Sequence, residues 1–182
     1  MKKQLKIGRS IISLESPSYI VAEIGMNHNG STELAKEMIQ AAARAGANAV
    51  KFQSFRTEDF LSEKFFDFEE RKKYELSLKD HKILAKEAKR CSVDFFSTPL
   101  DNFSLDLLDK LKVDVFKVAS CDLNNIAFIK DIAKKKKPVI FSTGYASVDE
   151  INNAYQTIKR YSSNRAIIMH CVACYPTEYE DI

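Results

Sequence analysis

Apolar runs of strand length alternate along the chain with stretches in which apolar residues recur at helical spacing. Tyr19–Gly25 is rich in β-forming residues and interrupted by one carboxylate, Glu23. Asn27–Ser31 is a polar turn. Leu34, Met38, Ala41, Ala42 and Ala45 then follow a helical period, with Gly46 where a helix should stop. Ala49–Phe55 is apolar again except for Lys51 and Gln53. This is a βαβ unit, which implies a parallel sheet covered on both faces.

The same alternation continues. Residues 56–76 are charged and aromatic and read as a long excursion with some helix. Ser77–Asp80 resembles a capping box, and Leu84, Ala88 and Cys91 carry on one helix face. Strands are expected at Asp94–Leu100, Val115–Ser120, Pro138–Gly144 and Ala166–Val172. Helices are expected at Asn102–Leu111, at Asn125–Lys135 and after the capping box Ser147–Glu150. Residues 1–18 read as a lead-in β-hairpin around Gly8-Arg9. The strand starts near 19, 49, 94, 115, 138 and 166 step by roughly 30 residues, close to the ~31 per unit of a (β/α)8 barrel of ~250 residues. The fold class expected is therefore α/β: a TIM barrel, incomplete, with six of eight βα units over residues 19–182. An open doubly wound sheet is the other architecture weighed, but no dinucleotide-type Gly-rich loop marks a topological reversal.

Polar residues interrupt these strands at one end. Glu23, Lys51, Gln53, Ser97, Thr98, Lys117, Ser120, Ser142 and Thr143 lie at or near the C-terminal ends of five strands, where barrel enzymes build their sites. Strand side chains alternate, so Lys51 and Gln53 face away from Val50 and Phe52. A buried ammonium requires an anionic partner or a wet cavity. Two lysines with several hydroxyls suit a small polyanion bearing phosphate and carboxylate. The competing reading is an internal salt bridge, one lysine paired with Glu23 or Asp122, with no ligand.

Composition narrows the classes. The chain has 182 residues, 45% hydrophobic and 29% charged, with a net charge of +3, as for a globular domain and without the basic excess of a nucleic-acid binder. No apolar stretch approaches 18 residues, and the N-terminus has no signal-peptide pattern. A cytoplasmic location and four reduced cysteines are expected.

The segments AEIGMNHNG, AVKFQSF, FFSTPLD, FKVASCDLNN, PVIFSTG and HCVACYPTEYEDI, in this order, resemble the strand-end motifs of the sialic acid synthases (N-acetylneuraminate synthase and its bacterial nonulosonate relatives). The resemblance runs from about Tyr19 to Ile182. It implies condensation of phosphoenolpyruvate with an N-acyl mannosamine-type sugar to a 2-keto acid, with release of phosphate. It implies that Lys51, Thr98, Lys117, Ser120 and Ser142 hold phosphoenolpyruvate and that Glu23, Gln53, Asp122 and Tyr175 line the sugar side. Glu23, Lys51 and Lys117 are the implied catalytic residues. A divalent metal, Mn2+ or Mg2+, serves the complete enzyme of this family. Its histidine ligands belong to the last two strands, so no ligand is expected within these residues and the chain is expected to be inactive alone. A C-terminal antifreeze-like domain and a homodimer are also implied for the complete enzyme.

The sequence departs from the family pattern at Leu100, where many members have Phe, at Asp122, where some have Glu, and at Ala173-Cys174. All three bear on the sugar's substituents and leave its identity open. A non-catalytic binder of phosphoenolpyruvate or sugar phosphates and a 3-deoxy-heptulosonate-type synthase are the alternatives, the second disfavoured by the EIG–NHNG and YPT motifs. The pair Cys171 and Cys174 points to opposite sides of an extended strand and is not read as a zinc or redox site. His28 is read either as a group supporting Glu23 or, equally, as an ordinary loop histidine, and His81 as lying on the exposed face of its helix.

Overall fold

The computed structural model describes residues 4–162 and 165–182; residues 1–3 of the lead-in segment lie outside the described residues. The chain divides into two compact units, Met1–Asp114 and Val115–Ile182.

In the first unit, β1 (Leu5–Ile7) and β2 (Ser10–Ile12) form the antiparallel hairpin. The Arg9 backbone N–H and the Tyr19 hydroxyl both donate to the Asp94 carboxylate, at 3.2 and 2.8 Å. Burial and the adjoining Asp94 hold the Tyr19 hydroxyl well above the usual tyrosine range. Then come β3 (Val21–Gly25), α1 (Thr32–Arg44), β4 (Ala49–Ser54), the short helices α2 (Thr57–Phe60) and α3 (Phe68–Lys72), α4 (Leu78–Arg90), β5 (Asp94–Pro99) and α5 (Asn102–Leu111). The sheet is parallel in the order β3-β4-β5, with Glu23 opposite Lys51 and Gln53 opposite Thr98. The other face of β4 packs Val50 and Phe52 against Ile39, Leu84 and Ala88 of α1 and α4. Each large side chain buried there contributes roughly 1.5–3 kcal/mol.

The second unit runs β6 (Phe116–Val118), a 3-10 turn at Ser120–Asp122, α6 (Ile126–Lys134), β7 (Val139–Ser142), α7 (Val148–Tyr161) and β8 (Ala166–Met169). Its sheet is parallel in the order β6-β7-β8. The fourth parallel strand was expected to reach Ser120 but ends at Val118. The backbone turns because Asp122 N–H bonds the Ala119 carbonyl, while the Ser120 hydroxyl accepts from Gly144 N–H at 3.1 Å. The last strand ends at Met169 rather than Val172, its Met169 carbonyl taken by the Thr143 hydroxyl at 2.9 Å.

His81 overturns its sequence reading. It is 1% exposed, because His81, Leu84 and Ala88 share the buried face of α4. Its ring meets that environment with hydrogen bonds at both nitrogens, to Ser54 and to the Ser77 carbonyl.

Candidate active site

In the first unit the parallel register brings three candidates together. Adjacent strands in register put matching side chains on one face, so Glu23 of β3, Lys51 of β4 and the end of β5 meet. Lys51 Nζ lies 2.8 Å from Glu23 Oε2 and 2.9 Å from Thr98 Oγ1. The lysine side chain is 11% exposed and the carboxylate 48%. The anionic partner that burial of Lys51 demanded is therefore Glu23. An ammonium carries three N–H donors, and these two bonds use two of them. Gln53 belongs to the same cluster. A Cβ placed on Gly25, which has φ +56, would lie 3.2 Å from Glu23 Oε1 and 4.0 Å from Gln53 Nε2. Glycine meets both demands, the left-handed backbone and the crowding.

The second unit builds a separate cluster. Lys117 is 6% exposed, and its Nζ donates to the Val118 carbonyl at 2.7 Å and the Ser142 hydroxyl at 2.5 Å. Ser120 is held through Gly144, whose added Cβ would stand 3.3 Å from both Ser120 Oγ and Ala173 N. Asp122 has one carboxylate oxygen, Oδ2, buried with no hydrogen-bond partner among the described residues. Burial raises its proton affinity above the usual aspartate range, and the Cys121 thiol opposes this. Tyr175 is 96% exposed, and no hydrogen bond joins its side chain to the other candidates among the described residues. Cys171 and Cys174 are both free thiols.

Sequence reasoning counted Ser97 among the polar strand-end candidates, but it faces away from Lys51 and Thr98 and belongs to a buried polar layer that the reading missed. Ser54, Ser97 and His81 are buried and hydrogen-bonded to one another. His28 is fully buried, its Nδ1 accepting from Gly30 N–H at 3.0 Å and its Nε2 without a partner among the described residues. Burial, with the neighbouring His81, keeps the His28 ring below the ordinary histidine range. The available signal was the spacing of His81 to Leu84 and Ala88.

The described residues do not fit a metal site. No three His, Cys, Asp or Glu side chains among them gather as a ligand set. The His81 ring is engaged by Ser54 and Ser77, one His28 nitrogen by Gly30, and Glu23 by Lys51. No helix among the described residues is long and apolar enough to cross a membrane.

Parallel βα units whose strands carry lysines, a carboxylate and hydroxyls toward one end define an α/β scaffold of the barrel type. The sequence pattern of the NeuB family matches residues 38–182, and the chain belongs to that family, the sialic and nonulosonic acid synthases. It is 40% identical to an uncharacterised protein of Methanocaldococcus jannaschii, over 99% of this chain and 53% of the relative. It is 38% identical to the N,N'-diacetyllegionaminic acid synthase of Campylobacter jejuni, over 90% of this chain and 54% of that one. The crystal structure of N-acetylneuraminic acid synthetase from Leptospira borgpetersenii superposes with a TM-score of 0.93 at 35% identity, covering 100% of this chain and 63% of that one. The fold is accordingly that of partial TIM-barrel βα units. The chain spans about half the length of the curated relatives it matches.

Proposed function

We propose that the complete protein condenses phosphoenolpyruvate with an N-acyl amino sugar of the mannosamine type, giving a nonulosonic acid and phosphate. The observation that carries this reading is the match to the NeuB family over residues 38–182; Lys51 is paired with Glu23, as the ligand-free alternative also expects, and keeps the Thr98 hydroxyl beside it. The two bonds leave it one donor for an anion. Lys51 and Thr98, with Lys117, Ser120 and Ser142, are assigned to the carboxylate and phosphate of phosphoenolpyruvate. Glu23, Gln53, Asp122 and Tyr175 are assigned to the hydroxyl and amide groups of the sugar.

In the reaction the enol carbon of phosphoenolpyruvate forms a bond to the sugar's aldehyde carbon, and the aldehyde oxygen takes a proton. Water adds to the resulting oxocarbenium carbon and gives up a proton. Phosphate leaves from the tetrahedral intermediate as the 2-keto group forms. The contribution of this chain is to bind and orient: fixed ammonium and hydroxyl donors hold the anion without reorganising during reaction. No step through a metal is assigned to these residues.

For the acceptor we favour N-acetylmannosamine or a legionaminic-type precursor. The AEIGMNHNG segment and the 38% identity to a diacetyllegionaminic acid synthase support that preference.

The test uses the complete protein with divalent metal supplied. Phosphate release is measured with phosphoenolpyruvate and each candidate sugar, and the product is identified by mass. A nonulosonic acid formed only when both substrates are present is the expected result. Turnover with a short aldose phosphate in place of the amino sugar would move the protein to the heptulosonate type. Binding of phosphoenolpyruvate without turnover of any sugar would make it a binder.

A further inference from the structure

Behind the first sheet lies a directed hydrogen-bond chain to which the proposed reaction assigns no role. Side chains alternate along β4 and β5, so Lys51, Gln53 and Thr98 share one face and Phe52, Ser54 and Ser97 share the other. On that second face Ser54 Oγ lies 2.7 Å from Ser97 Oγ and 2.7 Å from His81 Nε2. All three residues are almost completely buried. His81 Nδ1 lies 2.9 Å from the Ser77 carbonyl oxygen.

The direction of every bond follows from that last contact. A carbonyl only accepts, so Nδ1 carries the ring proton and Nε2 is the acceptor. Ser54 must then donate its hydroxyl hydrogen to Nε2. Its oxygen is left to accept from Ser97. The chain runs Ser97 to Ser54 to His81 to the N-cap residue of α4, with each hydrogen used once. Burial, which lowers the ring's affinity for a second proton, favours this neutral form.

Position gives the chain a use. Ser54 follows Gln53 directly, and Ser97 directly precedes Thr98, the residue that anchors Lys51. A side-chain bond joins Ser54, the last residue of β4, to Ser97, two residues before the end of β5, and the imidazole ties Ser54 to the first turn of α4. Fully satisfied buried polar groups rigidify their surroundings, whereas partly satisfied ones do not.

We propose that Ser97, Ser54 and His81 act as a positioning relay: bonded in that order behind the sheet, they fix the spacing of Gln53 and Thr98 and hold Lys51 ready for the donor. His81 is a positioning residue in this account. The relay rests on the donor assignment made under the proposed function.

The test uses the complete protein and two readouts besides turnover: phosphoenolpyruvate affinity by calorimetry, and the imidazole 15N shifts of His81. In the wild type the shifts should show a neutral ring protonated at Nδ1. Ser54→Ala removes the donor to Nε2 with little change of volume, and should weaken phosphoenolpyruvate binding about tenfold while moving the Nε2 resonance. His81→Leu should weaken binding at least as much. His81→Gln, whose amide oxygen can accept from Ser54, should recover affinity to within about threefold of wild type. A purely structural role would instead lower thermal stability in all three variants and leave affinity unchanged. Unchanged affinity in Ser54→Ala, or an Nε2-protonated ring in the wild type, would overturn the relay alone. Failure of the wild type to bind phosphoenolpyruvate would overturn the donor assignment and the relay's purpose with it.

Discussion

Lys51 and Lys117 are both largely buried ammonium groups on parallel strands, yet the two units hold them differently. Lys51 sits on β4, the central strand of its sheet, six residues long, paired without interruption to β5 and, up to a register shift after Glu23, to β3. It is bonded to a half-exposed carboxylate and a hydroxyl, with a buried polar layer behind it. Lys117 sits on β6, an edge strand of three residues, and donates to a carbonyl and a hydroxyl beside a 3-10 turn. One ammonium has a carboxylate beside it on a long ladder, and the other donates to a carbonyl and a hydroxyl beside a tight bend. A buried strand lysine therefore does not require one kind of support. What recurs is burial with directed donors, the condition for electrostatic preorganisation.

The largest test of that comparison is removal of each ammonium. Lys51→Ala and Lys117→Ala should each lower kcat/KM of the complete protein by about 100- to 1,000-fold, the ~2.7–4 kcal/mol typical of a lost preorganised donor. Steady-state kinetics with saturating sugar and varied phosphoenolpyruvate would show it. Activity within about threefold of wild type for either variant would remove that lysine from the donor site and break the comparison.

A smaller test separates the units by pH. His28 and His81 belong to the first unit, and burial holds both rings below the ordinary histidine range. The unfolded chain therefore binds more protons than the folded one once the pH falls below about 6.5. Stability present at pH 7 is lost as the pH drops from there toward the folded values, by at most ~1.4 kcal/mol per pH unit for each ring. Asp122 of the second unit shifts in the other direction, because burial raises its proton affinity. The folded state there keeps its proton to higher pH than the unfolded chain, so that unit gains stability as the pH falls into the carboxylate range. Hydrogen exchange followed in peptides of β4 and of β7 should show protection falling more steeply in β4 between pH 7 and pH 5. His81→Gln should flatten the β4 slope. Parallel slopes in the two units would show that the buried rings do not set the acid response.

The same contrast explains which parts of the molecule could be read from the sequence. Period changes located every strand and helix of the sheet scaffold, because apolar spacing directly reports burial. Glu23 and Lys51 stood out as charges on apolar strands, and the structure pairs them. The sequence reading placed Ser120 on a strand because Val115–Ala119 is apolar apart from Lys117. The turn that removes it depends on Gly144, 24 residues away, and no local pattern carries that. His81 was misplaced because a histidine was assumed to seek water. Its spacing to Leu84 and Ala88 already put it on the apolar face, and Ser54 and the Ser77 carbonyl supplied what the ring needed. Buried polar networks are legible only when their members are considered together, since each alone looks like a surface residue. Tyr175, by contrast, was assigned through the family resemblance and stands exposed.

The smallest test concerns the helix starts, where the two units use the same device. α4 begins with a capping box of Ser77 and Asp80, and α7 with one of Ser147 and Glu150. Each acidic residue accepts the N-cap backbone N–H, at 2.9 Å for Asp80 and 2.8 Å for Glu150. Loss of a helix cap costs about 1 kcal/mol. Asp80 also ties two helices together, because its other oxygen accepts from the Thr32 hydroxyl at 3.1 Å and so joins α4 to the first turn of α1. A net hydrogen bond of this kind adds roughly 0.5–1.5 kcal/mol. The corresponding helix pair of the second unit is linked instead by Lys130 of α6 over the Tyr161 ring, 5.5 Å from its centre. That contact is independent of Glu150. Asp80→Ala should therefore destabilise the protein by about 2 kcal/mol and Glu150→Ala by about 1 kcal/mol, read from urea unfolding followed by far-UV circular dichroism. A double-mutant cycle with Thr32→Ala isolates the difference, and its coupling energy with Asp80→Ala should be about 1 kcal/mol. A coupling near zero would mean that the Thr32 bond is exchanged freely with water, and that the first unit owes its lateral cohesion to the apolar contacts between α1 and α4 alone.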